Sequence, residues 1–408
     1  MSTVSVPAYV QERLLIVAEK QGFVRDHFVI EYDRGSKSGD GYIGLIVRAR
    51  FVSPTQKKLS VICKFPPEDP HQRQRFNAML LFERETFIYQ RILPAFEEIQ
   101  LQHGVNHQEG TYFGHYPKCY HAYCDVERGE AVIILEDLLN SKRPPMKLLD
   151  QYVPIDYDHV RVLMSALGKL NACSFALKRH RPQLFEQIRQ LNDLLSIVLD
   201  TEQTRPLTDR NCYLAASAFD PKQEAGYHRE MLDLCQSMWP RTGAHIRGIR
   251  AEPYAALNHG DCWTNNVMFG YDANGRVNDV CLFDWQMARY GSPVLDYTLF
   301  IFLCGELNLR RDKFDSLIAV FYSSFSASLL QLGGDPEKDL PRAELEKQFI
   351  QFGRLALSMG TYALPNFAQL PAEICENPAM YPTDKRLQYY YTVMRELIKD
   401  SDQFDKIE

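Results

Sequence analysis

Apolar and polar positions alternate differently along different stretches of the chain, and the change of period divides it. Residues 8–21 carry apolar side chains at helical spacing and predict a helix. From residue 36 to 65 the period shortens to two. Leu45, Val47, Ala49 and Phe51 alternate with Ile46, Arg48 and Arg50, as on a half-buried strand, and Leu59–Phe65 reads as a second strand. Residues 75–93 return to helical spacing. Two further strands are predicted near 118–125 and 131–135, on either side of the turn-like segment 126–129. Beyond the Ser141–Pro145 break the chain is helical in texture to its end, with one β interruption at 254–284. The pattern predicts an α+β protein of two lobes. Residues 1–137 form a small lobe with an antiparallel sheet and one main helix, and residues 138–408 a larger, mostly helical lobe.

Composition adds exclusions. The 408 residues are 45% hydrophobic and 24% charged, the balance of a globular protein with ample core. A net charge of −6 and a pI near 6.0 give no reason to expect a nucleic-acid partner. The ten cysteines are scattered singly, which argues against a disulfide framework or zinc knuckle and fits a reducing compartment. Charges interrupt the apolar residues of the first 22 positions, so no signal peptide is expected there. The most apolar stretch, around 294–304, contains Asp296 and is too short for a membrane span. The expectation is a cytoplasmic protein with no membrane span, and no protein partner is evident.

The β interruption carries the candidate chemistry. It reads Ala256-Leu-Asn-His-Gly-Asp-Cys-Trp-Thr-Asn-Asn-Val-Met-Phe-Gly-Tyr271, then a turn by composition at 272–276, then a strand leading into Asp284. Strands joined by an Asn-Gly turn lie antiparallel, so the start of the first and the end of the second meet at one end of the hairpin. Asn266 stands at that start and Asp284 at that end, with Asp261 in the loop feeding the same place. Asn266 and Asp284 offer hard oxygen ligands of the kind Mg²⁺ takes, and a separate carboxylate, Asp261, can orient an attacking hydroxyl. This is the equipment of phosphoryl transfer from ATP.

A kinase-like arrangement would add a lysine on an early strand and a glutamate on the helix that follows. On the strand 59–65, Ser60, Ile62 and Lys64 share one face. Downstream, Ala78, Phe82, Glu85, Tyr89 and Ile92 form a helical stripe in which Glu85 is the embedded charge. A buried carboxylate needs a cationic partner, and Lys64 is the candidate. Ser36-Lys-Ser-Gly-Asp-Gly41 precedes the first of these strands, and its glycines Gly39 and Gly41 allow a backbone cradle for phosphates.

These motifs together resemble the insect ecdysteroid-kinase-like family, a relative of choline kinases and aminoglycoside phosphotransferases within the protein-kinase-like superfamily. The resemblance rests on Phe82-x-x-Glu85-x-x-x-Tyr89, Leu135-Glu-Asp-Leu138, His259-x-Asp261-x₄-Asn266, Leu282-Phe-Asp-Trp-Gln286 and Pro293-x-x-Asp296-Tyr297, and it spans roughly residues 30–330. It implies a protein-kinase-like fold that uses ATP and Mg²⁺ to phosphorylate a hydroxyl on a small, apolar molecule, an ecdysteroid or a hydroxylated product of detoxification. By the same resemblance His259, Asp261 and Asn266 are catalytic, Asn266 and Asp284 hold the metal, and Lys64 and Glu85 serve the nucleotide. The backbone at Glu136 and Leu138 faces adenine, and Asp296 braces the catalytic loop. The sequence departs from the family pattern at Trp285, where Phe is usual, and at Asn171, where His is common.

A protein kinase is excluded on two counts. Gly260, not Arg, follows His259, and only 12 positions separate Asp284 from Asp296, with no Ala-Pro-Glu between them. Two alternatives remain open at this stage: a choline- or ethanolamine-kinase-like enzyme, and a non-catalytic steroid-binding protein with a kinase-like fold.

Overall fold

The computed structural model describes residues 5–35, 44–54, 57–75, 77–140 and 146–407. The chain divides into two compact units. The first comprises Met1–Glu97, Gly114–Lys147 and Met268–Ala288, and the second comprises Glu98–Phe113, Leu148–Val267 and Arg289–Glu408. This differs from a division at residue 137, because the chain crosses between units several times. The segment 268–288 pairs as strands and so joins the β-rich unit, and 98–113 joins the helical one.

In the first unit, β1 (Val29–Arg34), β2 (Leu45–Val52), β3 (Lys58–Phe65), β4 (Cys119–Asp125) and β5 (Glu130–Glu136) form an antiparallel sheet in the order β1-β2-β3-β5-β4. Helix α1 (Ala8–Lys20) buries Val10, Leu14, Val17 and Ala18 in the cluster formed by Val61, Cys63 and Phe65 of β3 and their neighbours. The period-two reading of β2 and β3 is therefore correct to the face. β1 was not foreseen; its half-exposed Glu31, Tyr32 and Asp33 give no clean alternation.

The helical segment expected over 75–93 starts as α2 (Ala78–Phe87) and passes into a π-turn at Ile88–Ile92. Leu93 donates its N–H to Ile88 O, five residues back. Pro94, which has no N–H, cannot close the regular bond one position later.

The remaining strands are β6 (Met146–Leu148), β7 (Ala256–Asn258), β8 (Val267–Tyr271), β9 (Val277–Leu282) and β10 (Arg289–Gly291). β6, β8 and β9 form one sheet in the order β6-β8-β9, and β7 pairs antiparallel with β10. The turn between β8 and β9 closes through Asp272 N–H to Arg276 O (2.9 Å) and Gly275 N–H to Asp272 O (3.0 Å).

The second unit is mostly helical. Its long helix α3 (Tyr157–His180) is the single helix among the described residues long and apolar enough to cross a membrane, yet 83% of its apolar window is buried inside the protein. Helix α4 (Val294–Leu303) follows β10, and α5 (Phe314–Gln331) packs along α3. Gly168 makes that approach close: a β-carbon there would lie 2.5 Å from the Phe321 carbonyl oxygen. Further along the chain lies α6 (Leu355–Phe367).

Candidate active site

In the first unit the site is built around Lys64. Its register opposite Ile46 of β2 and Ile133 of β5 places it in the middle of the sheet, facing away from α1. Its Nζ lies 2.7 Å from Glu85 Oε2, 2.6 Å from Asp284 Oδ1 and 3.2 Å from Gln286 Oε1. Glu85 projects from α2 and is only 1% exposed; its other oxygen accepts the Trp285 N–H at 3.2 Å. The lysine–glutamate pair expected from the sequence is thus present, and Asp284 makes it a triad. The contribution of Gln286 was missed. Its signal is faint: a polar residue two positions past the aspartate, where β9 has already ended.

Burial by itself would push the Lys64 ammonium down, but the carboxylates of Asp284 and Glu85 outweigh it and hold its pKa above the ordinary lysine value. Burial raises Glu85 to about 7, partly offset by Lys64. Asp284 has left-handed backbone angles, φ 67° and ψ 63°. This region is costly for most residues but tolerated by Asp and Asn. The turn that follows is fixed from α2: Arg84, itself buried, donates to the Ala288 carbonyl.

Where β5 ends, the Glu136 N–H donates to Lys118 O (2.8 Å), so this donor belongs to the sheet and not to a purine. The expectation that the backbone here meets adenine therefore falls on the Glu136 carbonyl and on Leu138. The Leu138 side chain packs with Met146, Met268, Cys281 and Phe283. Asp137 is buried and accepts from Arg48 (2.7 Å), Ser60 (2.6 Å) and Asn140 (2.8 Å) on one oxygen. Against the upward push of burial, these donors hold its pKa below the usual carboxylate range. It pins the chain leaving the sheet. Gly39 and Gly41, with the rest of 36–43, lie outside the described residues.

In the second unit the loop 259–266 leaves β7 at Asn258, which pairs with Arg289 of β10. His259 is fully buried, and its N–H donates to Asp296 Oδ2 at 2.6 Å; the Gly260 N–H donates to Asp296 Oδ1 at 2.8 Å. The Asp296 carboxylate, in the first turn of α4, therefore braces the loop through its backbone. Burial pushes its pKa up, opposed by His259, the two N–H groups and Arg289. Gly260 has φ +85°, a conformation that L side chains rarely adopt, and its carbonyl accepts from Arg289 at 3.0 Å. The residue that excluded a protein kinase is thus demanded by the turn. Asn266 Nδ2 donates to Asp261 Oδ2 (2.8 Å) and to the Asp261 carbonyl (2.9 Å), which leaves Oδ1 as the ligand-type atom of the amide. Asn171, the departure on α3, donates to the Leu257 carbonyl of β7 at 3.3 Å and so still holds the loop's supporting strand.

Asp296→Asn replaces an oxygen that accepts a buried N–H with an amide that donates. A loss of about 2–4 kcal/mol of unfolding free energy is expected, read by urea titration. Unchanged stability would remove Asp296 from its role as brace.

Among the described residues no group of three or more His, Cys, Asp or Glu is placed to hold a metal ion. Asp284, in the first unit, offers a carboxylate oxygen, and Asn266, in the second, an amide oxygen, each a hard ligand of the type that magnesium takes.

No curated protein sequence matches the chain. A crystal structure of the macrolide 2′-phosphotransferase of Brachybacterium faecium, an apoenzyme, aligns over 92% of this chain and 97% of its own at 13% identity, with a TM-score of 0.32. Residues 38–334 match the model of the ecdysteroid kinase-like family. With well over half of its length in that match, the chain belongs to the ecdysteroid kinase-like family.

Proposed function

We propose that this protein uses ATP and Mg²⁺ to phosphorylate a hydroxyl on a small, mostly apolar molecule, an ecdysteroid or a hydroxylated xenobiotic, in the cytoplasm. The observation that carries the reading is the grip of Glu85 and Asp284 on Lys64 at 2.7 and 2.6 Å. A buried ammonium kept charged by two carboxylates is a phosphate-binding group held in readiness. Glu85, bonded to Lys64 and to the Trp285 N–H, would keep the ammonium aimed while Asp284 meets a cation. Asn266 and Asp284 would hold Mg²⁺, which when bound draws negative charge off the phosphate oxygens.

Asp261 supplies the proton chemistry. The acceptor oxygen bonds to the γ-phosphorus while the bond from that phosphorus to the β–γ bridging oxygen breaks. ADP leaves with the electron pair, and the hydroxyl proton passes to the Asp261 carboxylate. The hydrogen bond from Asn266 to Oδ2 holds the Asp261 carboxylate in one orientation. The complete set Lys64, Glu85, Asp261, Asn266 and Asp284 supports catalysis over a non-catalytic binder. The test is incubation with ATP, Mg²⁺ and a mixture of hydroxylated steroids, phenols and choline, with phosphorylated products read by mass. A protein that binds Mg·ATP yet phosphorylates none of them would overturn the reading.

Asp284→Asn isolates the metal role, because Asn tolerates the left-handed backbone that Ala would strain. The expected result is Mg·ATP affinity weaker by about tenfold or more, with metal-free ATP binding little changed, in calorimetry with and without Mg²⁺. A wild-type metal dependence would reduce Asp284 to a partner of Lys64.

A further inference from the structure

Burial alternates along the catalytic loop. Cys262, Thr264 and Asn266 are buried, whereas Asp261, Trp263 and Asn265 are partly exposed. Cys262 points wholly inward, and Trp263 is extended, with φ −147° and ψ 174°. In an extended stretch the residues on either side of an inward side chain share the opposite face. Asp261 and Trp263, the partly exposed neighbours of the inward Cys262, are the residues of this stretch that reach the surface.

That indole is held. It stacks on Phe367, the last residue of α6, with ring centroids 5.2 Å apart and planes within 10°. On the other flank Asn265 donates to Gln151, which ties the segment 148–155 to the loop. That segment presents Tyr152 and Val153 at 42% and 57% exposure. Its carboxylate, Asp150, is engaged by the Tyr152 N–H at 3.0 Å. The groups placed beside the loop are thus mainly aromatic and apolar, with Asp150 the carboxylate among residues 148–155.

We infer that Trp263, backed by Phe367, is the wall on which the acceptor's ring lies while its hydroxyl meets Asp261. The acceptor class this selects is a neutral, ring-bearing alcohol or phenol. A polycationic amine would need several carboxylates converging on its charges, whereas the wall argued here is an aromatic pair. A flat ring laid on a rigid indole removes apolar area from water at little rotamer cost. The two stacked rings fix the plane of the wall before the acceptor arrives. The inference rests on the phosphotransfer reading above and adds to it the residues that choose the acceptor.

The test uses the full chain with Mg·ATP and four acceptors: 2-naphthol, a polyhydroxylated steroid, choline and an aminoglycoside. Three variants are compared, Trp263→Phe, Trp263→Leu and Phe367→Leu. Leucine fills the space as an apolar plug but has no flat face, so a merely structural role tolerates it and a stacking role does not. The wild type is expected to phosphorylate the ring compounds. Trp263→Leu is expected to raise the acceptor KM by about tenfold or more, and Trp263→Phe by about threefold or less, with the KM for ATP moving far less than that for the acceptor. Phe367→Leu should give an intermediate rise, and it carries the test if Trp263→Leu fails to fold by circular dichroism. An unchanged acceptor KM in a folded leucine variant overturns the wall and leaves phosphotransfer standing. Phosphorylation of choline or the aminoglycoside alone overturns it as well. A wild type that phosphorylates nothing overturns the phosphotransfer reading, and this inference with it.

Discussion

Asp261→Asn lowers kcat by on the order of several hundredfold, about 3–4 kcal/mol of transition-state stabilisation, and leaves Mg·ATP affinity near the wild-type value. The substitution keeps the shape of the loop. An amide oxygen at this position still accepts from Asn266, and the brace that Asp296 provides to His259 and Gly260 is untouched. What is lost, on the proposed mechanism, is the negative charge that would take the acceptor's proton as the new O–P bond forms. The measurement is steady-state turnover on an accepted substrate beside ATP titration calorimetry on the same preparation. Near-wild-type turnover in the folded variant would remove Asp261 from the chemistry.

Lys64→Met strikes stability and activity together. Glu85 is buried almost completely and Lys64 nearly so, with the ion pair at 2.7 Å. Breaking such a pair from one side leaves an uncompensated buried charge and costs about 3–5 kcal/mol. The loss depends on pH in a definite direction. Burial raises Glu85 from 4.5 to about 7, so the folded state binds its proton more tightly than the unfolded chain does. The stability this contributes is complete below about pH 4.5 and is lost as pH rises through about 7. Removing Lys64 takes away the main opposing charge and pushes the carboxyl higher still. The deficit of Lys64→Met relative to wild type is therefore smaller near pH 5 than near pH 8. The double variant Lys64→Met, Glu85→Gln recovers most of the stability and none of the phosphotransfer. Denaturant titrations at the two pH values give the answer; a single variant as stable as wild type at both would show that Glu85 is balanced by something else.

The sequence spoke clearly where one periodic face decides a residue's surroundings. Lys64 alternates with Cys63 and Phe65, which pack against α1, so it must face the other way. Glu85 is a lone charge in an apolar stripe, and such a charge requires a partner. The ladder of β8 and β9 followed from a turn whose residues permit little else. Contacts set by distant parts of the chain were not legible. Phe367 reaches Trp263 across about a hundred residues, and Gln151 reaches Asn265 in the same manner. That the compact units are built from separate stretches was not legible, because strand pairing, a long-range property, assigns 268–288 to the β-rich unit. His259 shows a subtler limit: the motif marks the position, but only the structure shows that its backbone N–H serves Asp296 while the residue itself is wholly buried. Asp137 is similar. Its neighbour in the motif drew attention to backbone groups, whereas the network of Arg48, Ser60 and Asn140 around its carboxylate depends on strand register across the sheet.

The packing of α3 against α5 also has a cost in time during synthesis. The face of α3 that includes Gly168 is covered by a helix that begins at Phe314, 134 residues after α3 ends at His180. At a ribosomal rate of about 5–20 residues per second, that face waits roughly 7–27 s for its cover. Through that interval the longest apolar helix among the described residues is exposed to chaperones, to membranes and to other nascent chains. A message truncated before the codon for Phe314 would release a product in which the wait never ends.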